Sequence, residues 1–129
     1  MDLFQTALRS NEILVEIRVP TSSKSVAYVK SAQKASGFAI AGVAVVITTS
    51  AGSVQVGVTG VTAKPYRATA VERELQGQPL TPEKLASAAR KAAGGRQALN
   101  DLHASAEYRV QLAKVNTKRA LELAASRSS

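Results

Sequence analysis

Residues 39–49 read AIAGVAVVITT, and after a short polar loop, Ser50-Ala51-Gly52-Ser53, the chain resumes with Val54, Val56 and Val58. A continuous apolar run rich in Val and Ile is the pattern of a strand covered on both faces. The loop has hairpin length, so the two runs are expected to pair antiparallel, with 39–49 central in the sheet. Past Gly60 the alternation reaches Val61.

Toward the N-terminus, SVAYVKSAQK at 25–34 places Val26, Tyr28 and Lys30 on one face and Ala27 and Val29 on the other, the period of a strand. Ala35-Ser36-Gly37 interrupts it. Further upstream, Ile13, Val15, Ile17 and Val19 alternate with Leu14, Glu16 and Arg18, predicting a half-buried strand that Pro20 stops, with turn chemistry in Thr21, Ser22 and Ser23.

Toward the C-terminus the residues become helix formers. ATAVEREL at 68–75 is a short helix closed by Gly77. Thr81-Pro82-Glu83 supplies an N-cap, a proline at the first helical position and an acid in the first turn, so a second helix runs to Gly94-Gly95. A third begins after Ser105, with Glu107 in its first turn, and continues to about Ala125. Its main inward stripe reads as Tyr108, Leu112, Val115 and Arg119, with Val110, Ala113, Ala120 and Leu121 as a weaker apolar side. Strands followed by helices give an α+β fold, an antiparallel sheet of three to four strands with three helices packed on one face. Residues 1–125 read as a single domain and 126–129 as a frayed tail.

Composition narrows the chemistry. The 129 residues are 45% hydrophobic but only 4% aromatic, so the core is aliphatic. With no cysteine, disulfides, thiolate metal ligands, iron–sulfur ligation and a thiol nucleophile are excluded together. No signal peptide is legible at the N-terminus, and the apolar stretch 38–47 is about half the ~20 residues of a membrane helix, which points to a cytoplasmic protein. The formal charge is +8, and from Ile17 to Val71 there is no Asp or Glu, whereas Arg18, Lys24, Lys30, Lys34, Lys64 and Arg67 all lie there. That half is a solvated basic face or a surface that meets a phosphate-bearing cofactor or an acidic neighbour.

No side-chain set for catalysis emerges. His103 is the sole histidine, so a His-pair metal site is impossible. Its neighbour Asp101 suits a loop or capping role. Glu72 and Glu74 point to opposite sides of a helix, and Glu12 and Glu16 flank a strand, so no carboxylate pair forms. Gly57-Val58-Thr59-Gly60 lacks the lysine of a phosphate-binding loop, and aromatics for stacking nucleic acid are limited to Tyr28, Phe38 and Tyr66 in the cationic half.

A series of phrases in order carries a family likeness: EILVEIRVP at 12–20, YVK at 28–30, SGFAIAGVA at 36–44, Gly60-Val61 with Pro65 and Arg67, SAEYR at 105–109 and KRAL at 118–121. From about Thr6 to Leu123 the chain resembles the carbon monoxide dehydrogenase flavoprotein C-terminal domain, part of the FAD-carrying medium subunit of xanthine dehydrogenase-type molybdenum hydroxylases. It departs from the family pattern at Gly37, where an acid is frequent, at Thr59, where a glycine is, and at Asn116, where a leucine is. The resemblance implies electron transfer through FAD held mainly by a domain absent here, with molybdenum and iron–sulfur subunits as partners. It also implies that Lys30, Lys34, Ser36, Gly37, Phe38 and Ala39 approach the flavin ring. Tyr108 reads as a structural helix-to-sheet anchor and Arg109 as a partner for nearby carbonyls or an acid. The alternative is a free-standing adaptor that binds nucleic acid or an acidic protein through its basic face.

Overall fold

A computed structural model describes residues 6–18 and 25–128. Strands β1 (Ser25–Ala32), β2 (Ala39–Thr48), β3 (Ser53–Thr59) and β4 (Tyr66–Arg67) form one antiparallel sheet in that order. Helices α1 (Thr69–Leu75), α2 (Pro82–Ala89) and α3 (Ala106–Ser126) follow. The fold is α+β: α3 lies on β1 and β2, α1 lies on β3, and α2 packs against both helices.

The β2–β3 hairpin forms as its sequence predicts. Thr49–Ala51 make a single tight turn, and Gly52, at φ +55, closes it by donating its N–H to the Thr49 carbonyl. Register then lines up Val29, Val43 and Val58 across three strands, with Ala27, Val45 and Val56 one step along, all on the helix-covered side. Each valine so buried contributes about 1.5–3 kcal/mol. β2 is interior, but only one of its faces is covered: Ala41, Val43, Val45 and Ile47 are buried while Ala44 opposite them is exposed. On the open face Ile40 and Val46 are only half-buried and Gly42 lies under the Tyr28 ring, so side chains of the sheet itself, not a second layer, give what cover there is.

The strand expected at 13–19 does not join this sheet. Its described part, residues 12–18, has no regular secondary structure, and Ile13, Val15 and Ile17 are 86%, 94% and 77% exposed. Val19 and Pro20 lie outside the described residues. The alternation demands a buried face that residues 25–128 do not supply, and the hydrogen bonds of the segment are local, such as Arg9 N–H to Glu12. The fourth strand is instead β4, two residues long, which the helix-forming chemistry around it concealed.

Two helical expectations also shift. α2 starts where Thr81 caps it, its hydroxyl accepting from Lys84 N–H, but it ends at Ala89 rather than Gly94. Residues 90–96 tighten into successive i→i−3 turns that seat Ala92 and Ala93 in the interior, with Gly94 and Gly95 at positive φ. α3 begins as predicted, Ser105 accepting from Tyr108 N–H, yet its buried stripe is Arg109, Ala113, Asn116, Thr117, Ala120, Leu121 and Ala124. Tyr108 is half exposed and Arg119 exposed, so neither anchors the helix to the sheet. Small residues let α3 approach the strands closely, and a tyrosine in that seam would hold it away. Asn116, buried in the seam, donates from Nδ2 to Ser31 Oγ (3.1 Å) and the Ala41 carbonyl (3.0 Å). At the C-terminal end Arg127 donates to the Val26 carbonyl.

Leu121, fully buried, and Leu123, on the outer side of the same helix, give a paired test. Leu121→Ala is expected to lower stability by about 2–5 kcal/mol, and Leu123→Ala by about 1 kcal/mol or less. Urea unfolding of both variants reads the difference.

Candidate functional site

The connection between β1 and β2 is a compact turn held by its own backbone. Gln33 and Phe38 are joined by the N–H of Gln33 to the Phe38 carbonyl (2.9 Å), and Gly37 N–H returns to the Gln33 carbonyl (2.8 Å). Ser36 Oγ accepts from Phe38 N–H, and Gln33 Oε1 from Ala35 N–H. Gly37 takes φ +71, a conformation glycine adopts without penalty, and open space surrounds the position of a would-be Cβ. Lys30, one strand-length back, reaches forward to the Gly37 carbonyl with Nζ at 3.0 Å. The outcome is a rigid loop with Phe38 at 79% exposure on its rim.

Beneath the turn runs a side chain with four hydrogen bonds. Arg109, 4% exposed, donates from Nη1 to the carbonyls of Ile40 (2.9 Å) and Gly60 (2.7 Å), and from Nη2 to both carboxylate oxygens of Asp101 (2.8 and 2.7 Å). One guanidinium therefore joins the start of β2, the end of β3 and the loop before α3. Gly60, at φ +79, is required here: an added Cβ would sit 2.5 Å from the Ala39 carbonyl oxygen and 2.8 Å from that of Ile40. Asp101 also accepts from the backbone N–H of His103 and Ala104, so its loop role is as expected, and the His103 side chain is not drawn into the network. The Arg109 bond first, then the His103 N–H, hold the Asp101 carboxyl below the usual carboxylate range.

A cavity of about 170 Å³ opens between turn and clamp, lined by Gln33, Ser36, Phe38, Ala39, Ile40, His103 and Arg109. It gathers three of the six residues singled out by sequence, Ser36, Phe38 and Ala39. Lys30 and Gly37 brace the turn from outside it, and Lys34 lies exposed on the same turn. Gln33 and His103 join the lining without a motif to announce them. Among the described residues no group of three His, Asp or Glu side chains comes together as a metal site, and no helix is long and apolar enough to cross a membrane.

On the sheet's open face a second, shallow trough of about 370 Å³ is bordered by Tyr28, Gly42, Ala44, Gly57, Val58, Thr59, Pro65, Tyr66 and Arg67. The Tyr28 ring lies over Gly42, where a Cβ would meet its hydroxyl at 2.6 Å. Two cations of the acid-free stretch are paired within the chain. Arg18 pairs with Glu16, and Arg67 pairs with Glu72 of α1 at 2.7 Å. Burial acts to raise the Glu72 carboxyl, but hydrogen bonds from Arg67 and from Val56 N–H outweigh it and leave the group below its ordinary range.

Residues 26–124 match the family described as the CO dehydrogenase flavoprotein C-terminal domain. The chain belongs to this family. Among curated relatives, the nicotine 6-hydroxylase medium subunit of Paenarthrobacter nicotinovorans is 29% identical over 128 residues, covering 97% of this chain and 45% of the relative. The carbon monoxide dehydrogenase medium chain of Hydrogenophaga pseudoflava is 33% identical over 129 residues, with 96% and 45% covered. The solved carbon monoxide dehydrogenase from Hydrogenophaga pseudoflava, a form lacking the Mo-pyranopterin moiety, superimposes with a TM-score of 0.88 at 34% identity, over 98% of this chain and 46% of that one. The chain thus spans about half the length of the relatives it matches. The family match begins inside β1, so residues 12–18 lie outside the matched range.

The clamp carries a pH signature. With its folded pKa depressed, Asp101 stabilises the fold fully above its unfolded pKa, and that contribution fades as pH falls through the folded value. Asp101→Asn should therefore melt below the wild type at neutral pH, with the gap closing in acid, as followed by thermal unfolding across a pH series. Arg109→Leu is expected to cost about 3 kcal/mol or more at neutral pH, because it strands two carbonyls and a carboxylate. Arg109→Lys should recover only part of it, having no fork.

Proposed function

We propose that this chain is the C-terminal domain of the FAD-carrying medium subunit of a molybdenum hydroxylase-type oxidoreductase working in the cytoplasm. In this reading it supports electron transfer through FAD and turns over no substrate alone. FAD is held mainly by a domain outside this chain, and the molybdenum and iron–sulfur subunits are its partners. The observation that carries the reading is membership of a flavoprotein C-terminal domain family over nearly the whole sheet and helix layer, combined with coverage of under half of each relative.

The β1–β2 turn suits a flavin supplied from outside. Phe38 offers an exposed apolar ring face, and Lys34 is a free exposed cation beside it among the described residues. Lys30 is already drawn onto the Gly37 carbonyl, so its charge is fixed at the turn. When bound, FAD supplies the redox chemistry. The residues of this chain orient it: Phe38 and Ala39 shield a ring face, the Ser36 hydroxyl presents a donor, Gly37 lets the ring approach the turn closely, and the two lysines favour negative charge on the reduced ring. The exposed alternation of Ile13, Val15 and Ile17 supports a neighbouring domain in the same way, since such a strand calls for a sheet to join. Against a free-standing nucleic-acid adaptor, the cations of the acid-free stretch are partly paired within the domain.

Titrating FAD against the isolated chain, with quenching of flavin fluorescence as the signal, is expected to give weak binding or none. Submicromolar affinity would overturn the division of labour. In the full-length subunit, Phe38→Ala and Lys34→Met should each shift the flavin midpoint potential or weaken FAD retention by several-fold, with the melting temperature unchanged. Wild-type values for both variants would remove the turn from the flavin site.

A further inference from the structure

On the side of the helical layer away from the sheet, α2 and α3 leave a groove of about 480 Å³ between them. One wall is the stripe Gln111, Lys114, Val115, Lys118, Arg119 and Glu122 of α3, an i, i+3, i+4, i+7, i+8, i+11 series that runs for roughly 16 Å along the helix. The other wall comes from α2, with Ala86, Ala89 and Arg90. Four cations, Arg90, Lys114, Lys118 and Arg119, face one carboxylate, Glu122. That carboxylate meets only Lys118, at a loose 3.8 Å. Arg90, Lys114 and Arg119 have no ion pair among the described residues.

We propose that this groove is a docking site for an acidic amphipathic helix of a partner protein, independently of whether the chain serves a flavin. The floor, Ala86, Ala89 and Val115, is small and apolar, so a helix can lie close while its carboxylates meet the surrounding cations. Charge complementarity identifies the occupant. A second copy of this chain would not serve, because its carboxylates are largely engaged within the fold: Glu72 with Arg67, Glu74 with Lys91 and Asp101 with Arg109. A nucleic acid fits less well. No aromatic lines the groove to stack a base, and cations spread over about two helical turns reach only a few phosphates.

The test uses the full chain and a fluorescein-labelled synthetic helix with alternating Glu and Leu/Ala faces, read by anisotropy beside a duplex DNA of equal charge and a scrambled peptide of the same composition. Saturable binding of the helical peptide, tighter than that of the duplex and the scramble, is expected. Lys114→Glu with Arg119→Glu should weaken it at least tenfold, whereas Arg73→Glu, on exposed α1 surface, should leave it unchanged. Ala86→Arg separates groove from charge: it adds a cation but fills the floor, so seating in the groove predicts weaker binding and simple charge attraction predicts tighter. Far-UV circular dichroism confirms that each variant is folded. The proposal is overturned by the absence of saturable peptide binding, by stronger binding to Ala86→Arg, by equal loss in Arg73→Glu, or by preference for the duplex.

Discussion

Everything on the β1–β2 side of the molecule depends on one desolvated guanidinium. Arg109 enters the interior from the first turn of α3 and satisfies a carbonyl at the start of β2 and one just past β3 while its other end is forked by Asp101. A buried cation is tolerated only when its charge is answered, and here a bidentate carboxylate and two carbonyls take the Nη groups while Nε stays without a partner among the described residues. The requirement reaches further than the pair. Gly60 has to be glycine so that its backbone can approach β2, and Asp101 has to hold its turn so that both oxygens face the arginine. Removing any one of these groups exposes the others to the cost of burial.

The remainder of the helix-to-sheet seam obeys a different rule, that of size. Ala113, Thr117, Ala120 and Ala124 keep α3 near the strands, and Leu121 fills the deepest position. Asn116 is the exception that tightens the seam, since its amide joins the edge strand at Ser31 to the central strand at Ala41. A leucine in that place would supply area alone. Asn116 supplies direction, bonding the sheet at the foot of the β1–β2 turn whose rim carries Phe38.

How much of this was legible in the sequence follows from which signals were local. The β2–β3 hairpin, the Thr81 and Ser105 caps and the α+β order rest on patterns a few residues long, and the structure repeats them. The strand predicted at 13–19 has an equally clean period, but period states only that a face wants cover, not where the cover is. β4 was invisible for the opposite reason: two residues pair because Tyr66 is drawn in by the sheet edge, its hydroxyl donating to the Ala92 carbonyl and its ring lying 4.6 Å from Arg96. The α3 face was misread because large apolar residues weigh most in a helical pattern, whereas close packing selects small ones. In the candidate site, Ser36, Phe38 and Ala39 were found through family likeness, and the bonding of Arg109 to carbonyls and an acid was anticipated. The contribution of Gln33 arises only from folding, and His103, noticed in sequence beside Asp101, reaches the cavity through a loop whose placement no local pattern gives.

The unpaired run from Glu12 to Arg18 has a practical corollary for handling the chain. From Ile13 to Arg18 the backbone, with aliphatic branches at every second position, is a template onto which another such run can add, so any self-association at high concentration is expected to start there rather than in the sheet. The interleaved Glu16 and Arg18 act as gatekeepers, because in-register stacking of like runs would set each charge on its like. Salt, by weakening that discouragement, should promote clumping, and trimming the run should yield the better-behaved preparation.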